Sequence, residues 1–394
     1  MSQNIHPVSN THPVSNTIVV LILTLGVFSI INTEMGVVGI IPLIAEEFHV
    51  TVPQAGWVVS VFALTIAVSA PVLPLLFSRI NKKYAMVLTL GLFTASNIVA
   101  MLTDNFNVLL ACRILPALLH PVYVAMAFSV AASSVSVKEA PTAISRVFIG
   151  VSAGMVLGVP VTSFIASNTS LSMAMLFFAL LNAAVLLATI CFVPSLPATQ
   201  QLSYSSQLRV LKKNILWYSV ISAVLINGAI FGFFSYMADF FKEITHLSYN
   251  TISILLFVYG GANIIGNALA GKMLSKVPML SIIIIPLALL IAYIALYFFG
   301  ANFILTTIIT LLLGVLAGIA ANNMQYMITQ SAPEAPEFTN GLFLTSANLG
   351  TMFGTTISGT IITTFGSNAS VFGALLFLVL SFSFVFLRVK SITS

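Results

Sequence analysis

Hydrophobic residues gather in runs long enough to cross ~30 Å of hydrocarbon as helices, with short polar breaks between them. The runs begin near Thr17, Pro53, Tyr84, Phe106, Thr142, Leu171, Ile215, Tyr249, Ser281, Phe303, Thr339 and Ser370. The pattern predicts an all-α membrane protein of twelve transmembrane helices. One connection is longer than the rest. Between Ser195 and Asn214, after Pro194, lie Pro197, a Gln/Ser-rich stretch and three cations. We expect a six-helix bundle over 17–194, a linker over 195–214 and a second bundle over 215–390. The first sixteen residues carry the tandem hexapeptide HPVSNT, which has no apolar face to bury, so a disordered cytoplasmic tail is expected.

The two sets resemble each other at a shift of 197 residues. Leu76-Phe77-Ser78-Arg79 aligns with Met273-Leu274-Ser275-Lys276, and Val50-Thr51 with Leu247-Ser248. Two parallel repeats place a substrate site at their interface near the bilayer midplane.

Composition agrees: 59% of the 394 residues are hydrophobic and 6% are charged, and mean hydropathy is +1.10. The pI of 9.2 follows from where the cations lie. With the N-terminus inside, Arg79, Lys82, Lys83, Lys138, Arg209, Lys212, Lys213, Lys272, Lys276, Arg388 and Lys390 fall at cytoplasmic ends and only Lys242 falls outside. Both termini are therefore expected in the cytoplasm, and the basic charge gives no argument for nucleic acid. Cys112 and Cys191 lie in apolar runs and are expected to be free thiols. No cleavable signal is expected, the first helix serving for insertion. No metal cluster, P-loop or acidic pair at catalytic spacing is present, so an enzyme is not expected.

Glu34 is the only acid the pattern places deep within a span. A carboxylate there costs at least ~2.5 kcal/mol, so such residues face protein or water and handle ions, protons or ligands. It stands in Asn32-Thr33-Glu34-Met35. Arg113 and His120 lie seven residues apart, two helical turns, and share a face. Counted from the outer helix ends, Glu34 and Arg113 lie at depths of roughly 15 Å and 10 Å. Asp239, near the outer end of the seventh run, reads as an interfacial cap.

With these residues in hand, the chain resembles the major facilitator superfamily over about 17–390, within its twelve-helix drug:proton antiporter and sugar-efflux branch. Asn32-Thr33-Glu34-Met35-Gly36 is similar to the first helix of sugar-efflux members, and Arg113 with His120 to their fourth. Gly150, Gly154, Gly158 and Pro160 resemble the antiporter signature of helix 5. Pro74 to Lys83 resembles the loop motif G-x-x-x-D-R-x-G-R-R, carried by Arg79, Lys82 and Lys83. Ser78 replaces its Asp, which implies a weaker latch between the halves.

The resemblance implies a secondary transporter that exports small solutes (drugs, sugars or sugar-like metabolites) in exchange for protons, by alternating access in a bacterial inner membrane. Glu34 is expected to carry the proton, Arg113 to favour its ionised form by attraction when the acid faces outward or is solvated, and His120 to relay or sense protons or to bind solute. Substrate contacts are expected from Asn32, Thr33, Tyr123, Asn227, Tyr236, Asn322, Asn323 and Tyr326. No cofactor is expected beyond protons as the coupling ion, and no metal. The partners are a small-molecule substrate and the lipid bilayer, with the protein a monomer. A passive facilitator, a proton-coupled importer of a sugar or nucleoside, and a non-transporting sensor stay open as alternatives.

Overall fold

The computed structural model describes residues 16–77, 80–135, 140–196, 207–333 and 336–393. Twelve long helices account for most of them: α1 (Asn16–Gly36), α2 (Trp57–Ser69), α3 (Lys82–Leu102), α4 (Phe106–Ser133), α5 (Ala140–Asn168), α6 (Leu171–Phe192), α7 (Asn214–Phe234), α8 (Tyr249–Lys276), α9 (Pro278–Phe299), α10 (Phe303–Ser331), α11 (Pro336–Phe365) and α12 (Ser370–Thr393). The polar breaks between runs supply the caps. Asn81, Asn105, Ser170, Ser248 and Asn302 each accept first-turn amides of the helix that follows, satisfying donors that helix geometry leaves unpaired. The tail over 1–15, and 197–206 of the linker, lie outside the described residues; the linker ends in a 3-10 turn, Gln207–Lys212.

Eleven helices among the described residues are long and apolar enough to cross a membrane. The twelfth, α11, has the length but carries Ser346, Asn348, Thr351, Thr355, Thr356 and Ser358. It can be polar because protein surrounds it. Asn227 on α7 donates to Thr351 Oγ1 at 2.9 Å, and Ser235 and Thr355 share a hydrogen bond at 2.9 Å.

Two helices break midway. After α1 the chain makes a 3-10 turn, Val37–Ile40, and continues as Ile41–Glu47. After α7 it breaks at Ser235 and Tyr236 and continues as Met237–Glu243. Each extension ends near a histidine with positive φ, His49 at 52° and His246 at 58°. These two are 197 apart, so the sequence offset reappears in the backbone.

The helices before Phe192 pack chiefly on one another, α1 on α5 and α3 on α6, while α7 packs on α11 and α12, and α8 on α10. The two groups meet where α2 crosses α11 and α5 crosses α8. Polar contacts between them gather toward the end that carries Glu46. Asn168 Nδ2 donates to Asn250 Oδ1 at 2.8 Å, Ser253 to Ser163 Oγ at 2.9 Å, and Thr356 to Ser60 at 3.2 Å. Glu46 forms an ion pair with Lys242 and accepts from the Tyr249 hydroxyl at 2.9 Å.

Candidate functional site

The break in α1 decides the surroundings of Glu34. The α-helix ends at Gly36, two residues beyond Glu34, and gives way to the 3-10 turn. Arg113 on α4 reaches two carbonyls at this helix end: Nη1 donates to Thr33 O at 3.0 Å and Nη2 to Glu34 O at 3.3 Å. Its Nε reaches Val58 O at 3.5 Å, and its guanidinium carbon lies 4.3 Å from the centre of the Phe62 ring. The hydrogen bonds of Arg113 go to backbone and not to the Glu34 carboxylate, the guanidinium fork suiting two adjacent carbonyls.

The carboxylate turns instead to His120. Glu34 Oε2 and His120 Nε2 are 3.0 Å apart, with the imidazole buried and the carboxylate side chain 13% exposed. The nitrogen is within ion-pair distance but off the hydrogen-bond line, and Nδ1 has no hydrogen-bond partner. Phe62 stands edge-on to the imidazole, ring centres 6.1 Å apart. One phenyl ring thus walls both Arg113 and His120.

Met35, the next residue, points elsewhere. It lines a cavity of about 130 Å³, partly open to solvent, between α5, α7, α8 and α10. Asn227, Asn263 and Asn267 are its amides; Phe231, Phe234 and Tyr259 are its aromatic walls; no charged side chain lines it. The acid and the cavity are thus served by adjacent residues of one helix.

Of the expected substrate residues, Asn227 lines this cavity, and Asn322 touches it through Asn267. The others are placed differently. Thr33 donates to Ser29 O and accepts from Asn182 of α6 at 2.9 Å. Asn32 is fully buried beside Gly158 with neither amide atom partnered. Tyr123 is buried with its hydroxyl against Gly26. Tyr236 donates to Thr355 O at 3.1 Å and fills the space left by Gly56 and Gly359. Asn323 accepts from Ser281 of α9 at 3.0 Å, away from the cavity. Tyr326 is half-buried outside its lining. Asn32, Thr33, Tyr123, Tyr236 and Asn323 are thus buried among neighbouring helices outside this lining. Sequence reasoning missed Met35, Phe62 and Asn182; the last was legible as a lone amide in the apolar sixth run.

Gly150, Gly154 and Gly158 bring α5 against the α1 backbone. A Cβ at Gly150 would stand 2.3 Å from Thr24 O, and one at Gly154 2.8 Å from Ile31 Cβ. Pro160 lies inside the same helix. Ser78 and Arg79 lie outside the described residues. Lys82 donates to Ser129 of α4 at 2.8 Å and Lys83 to Ile190 O of α6 at 2.7 Å, so both tie together helix ends of the first six. Two further charged residues are buried. Arg388 donates to Ser219 at 2.9 Å and Met327 O at 3.4 Å. Asp239, in the first turn of Met237–Glu243, is 3% exposed.

Comparison with known proteins decides the family. The Major Facilitator Superfamily matches residues 23–355 and again 240–393. The chain belongs to this superfamily. It is 26% identical over 342 residues to the inner membrane transport protein YdhP of Escherichia coli K12, covering 87% of this chain and 88% of that one. It is 27% identical over 351 residues to the MFS-type transporter YtbD of Bacillus subtilis 168, covering 88% and 89%. Two solved structures share the fold at low identity. One is a bacterial homolog of the human lysosomal transporter Spinster, inward-facing and unoccupied (TM-score 0.79, 16% identity, 96% of this chain and 98% of that one). The other is the nucleoside transporter NupG (TM-score 0.80, 14% identity, 95% and 99%). The protein is thus a multi-pass membrane transporter of this superfamily, whose members and relatives here are transporters rather than enzymes.

Proposed function

We propose that this transporter exports a small solute in exchange for protons, with the Glu34–His120 pair as the proton site. The observation that carries the proposal is the 3.0 Å approach of Glu34 Oε2 to His120 Nε2 on the helix whose next residue, Met35, lines the cavity. Proton entry at Glu34 removes the charge that holds the imidazole. The local restraint on the α1 break then rests on the hydrogen bonds of Arg113 to backbone carbonyls. Solute against Met35 and a proton at Glu34 thereby act on adjacent residues beside the same break. Transport needs only a small bias, since one charge moving across 100 mV is worth ~2.3 kcal/mol.

Export follows from the resemblance of the first, fourth and fifth helices to antiporters. An inner-membrane setting with both termini in the cytoplasm is supported by the lysine and arginine distribution and by the name of the Escherichia coli relative. In this orientation the Glu46 end, where the two groups of helices are joined, faces outward.

The test is flux in proteoliposomes carrying an internal pH dye, screened over neutral aromatic amides, sugars, nucleosides and cationic drugs. Solute-dependent proton flux in the wild type, lost in Glu34→Gln with counterflow retained, is expected. Solute flux without proton flux, unchanged by Glu34→Gln, would make the protein a facilitator.

A further inference from the structure

α8 and α10 cross closely. A Cβ at Gly318 would stand 2.2 Å from Asn263 O, and one at Gly266 2.1 Å from Val315 O. At that separation short amides bridge the two helices. Asn322 Nδ2 donates to Gly318 O at 2.9 Å and to Asn267 Oδ1 at 2.6 Å. Asn267 Nδ2 in turn donates to Asn263 Oδ1 at 3.1 Å.

A backbone carbonyl only accepts, so the Gly318 bond fixes which end of the Asn322 amide is nitrogen, and the order propagates along the chain. Asn322 spends both its protons, Asn267 presents oxygen to Asn322 and nitrogen to Asn263, and Asn263 is left with a free Nδ2. Across the cavity a second carbonyl sets the opposite polarity. Asn227 Nδ2 donates to Ala347 O and to Thr351 Oγ1, which leaves its Oδ1 as the free group. Asn227 and Asn263 both line the cavity. Between them the walls are methionine, aliphatic and aromatic, with Tyr259 stacked on Phe234 at 4.8 Å between ring centres.

We infer that the cavity takes an uncharged amphiphile. It has a flat aromatic or apolar body against Phe234 and Tyr259, one acceptor for Asn263 Nδ2 and one donor for Asn227 Oδ1. Asn322 and Asn267 are positioning residues that hold Asn263 in its donating orientation. A permanent charge has no counter-charge in this lining and pays desolvation without return. A hydroxyl-rich sugar finds too few polar partners. This inference rests on the reading that the protein is a solute transporter, and narrows it to a solute class.

The test is equilibrium binding to the purified full-length protein in detergent, with no membrane and no gradient. Four probes are matched: neutral N-acetylphenylalaninamide, cationic phenylalaninamide, anionic N-acetylphenylalanine, and sucrose. The neutral amide is expected to bind at least about tenfold tighter than either charged analogue, and sucrose not to bind at millimolar concentration. Asn263→Leu should weaken the neutral amide by about tenfold. Asn263→Asp, of equal size, should reverse the order in favour of the cation, which a merely structural asparagine would not do. Equal or tighter binding of a charged analogue or of sucrose overturns the inference. So does failure of the neutral amide to bind, or an Asn263→Asp protein that keeps the wild-type order. Proton coupling can fail independently: binding as expected with proton flux unaffected by Glu34→Gln rejects the proton site and keeps the solute class.

Discussion

Arg113 donates to carbonyls on two helices and shares a phenyl wall with His120. Hydrogen bonds to a charged group contribute roughly 1.5–3 kcal/mol each. Arg113→Lys keeps the charge and loses the fork, so it should cost about 2 kcal/mol. A lower melting temperature in detergent and slower transport would register it. Phe62→Leu removes only the ring contact, worth roughly 0.5–2 kcal/mol, and should be the milder variant in both assays. The sequence placed Arg113 and His120 on one face and Glu34 at comparable depth. It did not show which of them reaches the carboxylate. That depends on how the side chains turn where α1 gives way to the 3-10 turn at Val37–Ile40, which hydropathy does not register. Thr33 and Tyr123 lie buried outside the cavity for a related reason: a polar tip on an apolar helix points wherever its neighbours accept it.

At the scale of helices, glycine spacing separates packing from mere tolerance. Gly150→Ala drives a methyl into the Thr24 carbonyl, which is backbone and cannot swing away. We expect α1 and α5 to part and the yield of folded protein to drop sharply in size-exclusion profiles. Gly261 has nothing within 4 Å of an added Cβ. Gly261→Ala should fold normally and gain up to about 1 kcal/mol of helix propensity. Equal loss in both variants would contradict this account of the α1–α5 contact. Helix starts were the most legible part of the sequence, since polar breaks such as Asn105 and Ser170 serve as caps. The polarity of α11 shows the opposite case. Its Thr351 and Thr355 answer Asn227 and Ser235 on α7, so a span that looks weak by hydropathy is explained by its partner.

For the molecule as a whole, the bonds among the described residues that join the two groups of helices toward the Glu46 end are few and mostly neutral, as would suit a contact that opens in the proposed cycle. Exposed ion pairs contribute about 0–1 kcal/mol, so Lys242→Met should leave folding intact. By loosening the Glu46 contact it should raise cysteine labelling at that end. In a background without Cys112 and Cys191, cysteines replacing Asn168 and Asn250, whose amides meet at 2.8 Å, should cross-link and arrest transport, with recovery on reduction. Full transport by the cross-linked protein would show that this end does not separate.

The central claim is that Glu34 gives up or takes a proton when solute occupies the cavity beside Met35. Its most direct test is proton release on solute addition to purified protein in weakly buffered detergent solution, read by a pH dye. The account predicts a solute-dependent proton signal in the wild type and none in Glu34→Gln, with solute binding retained. An unchanged proton signal in Glu34→Gln would contradict it and move the proton site to another group.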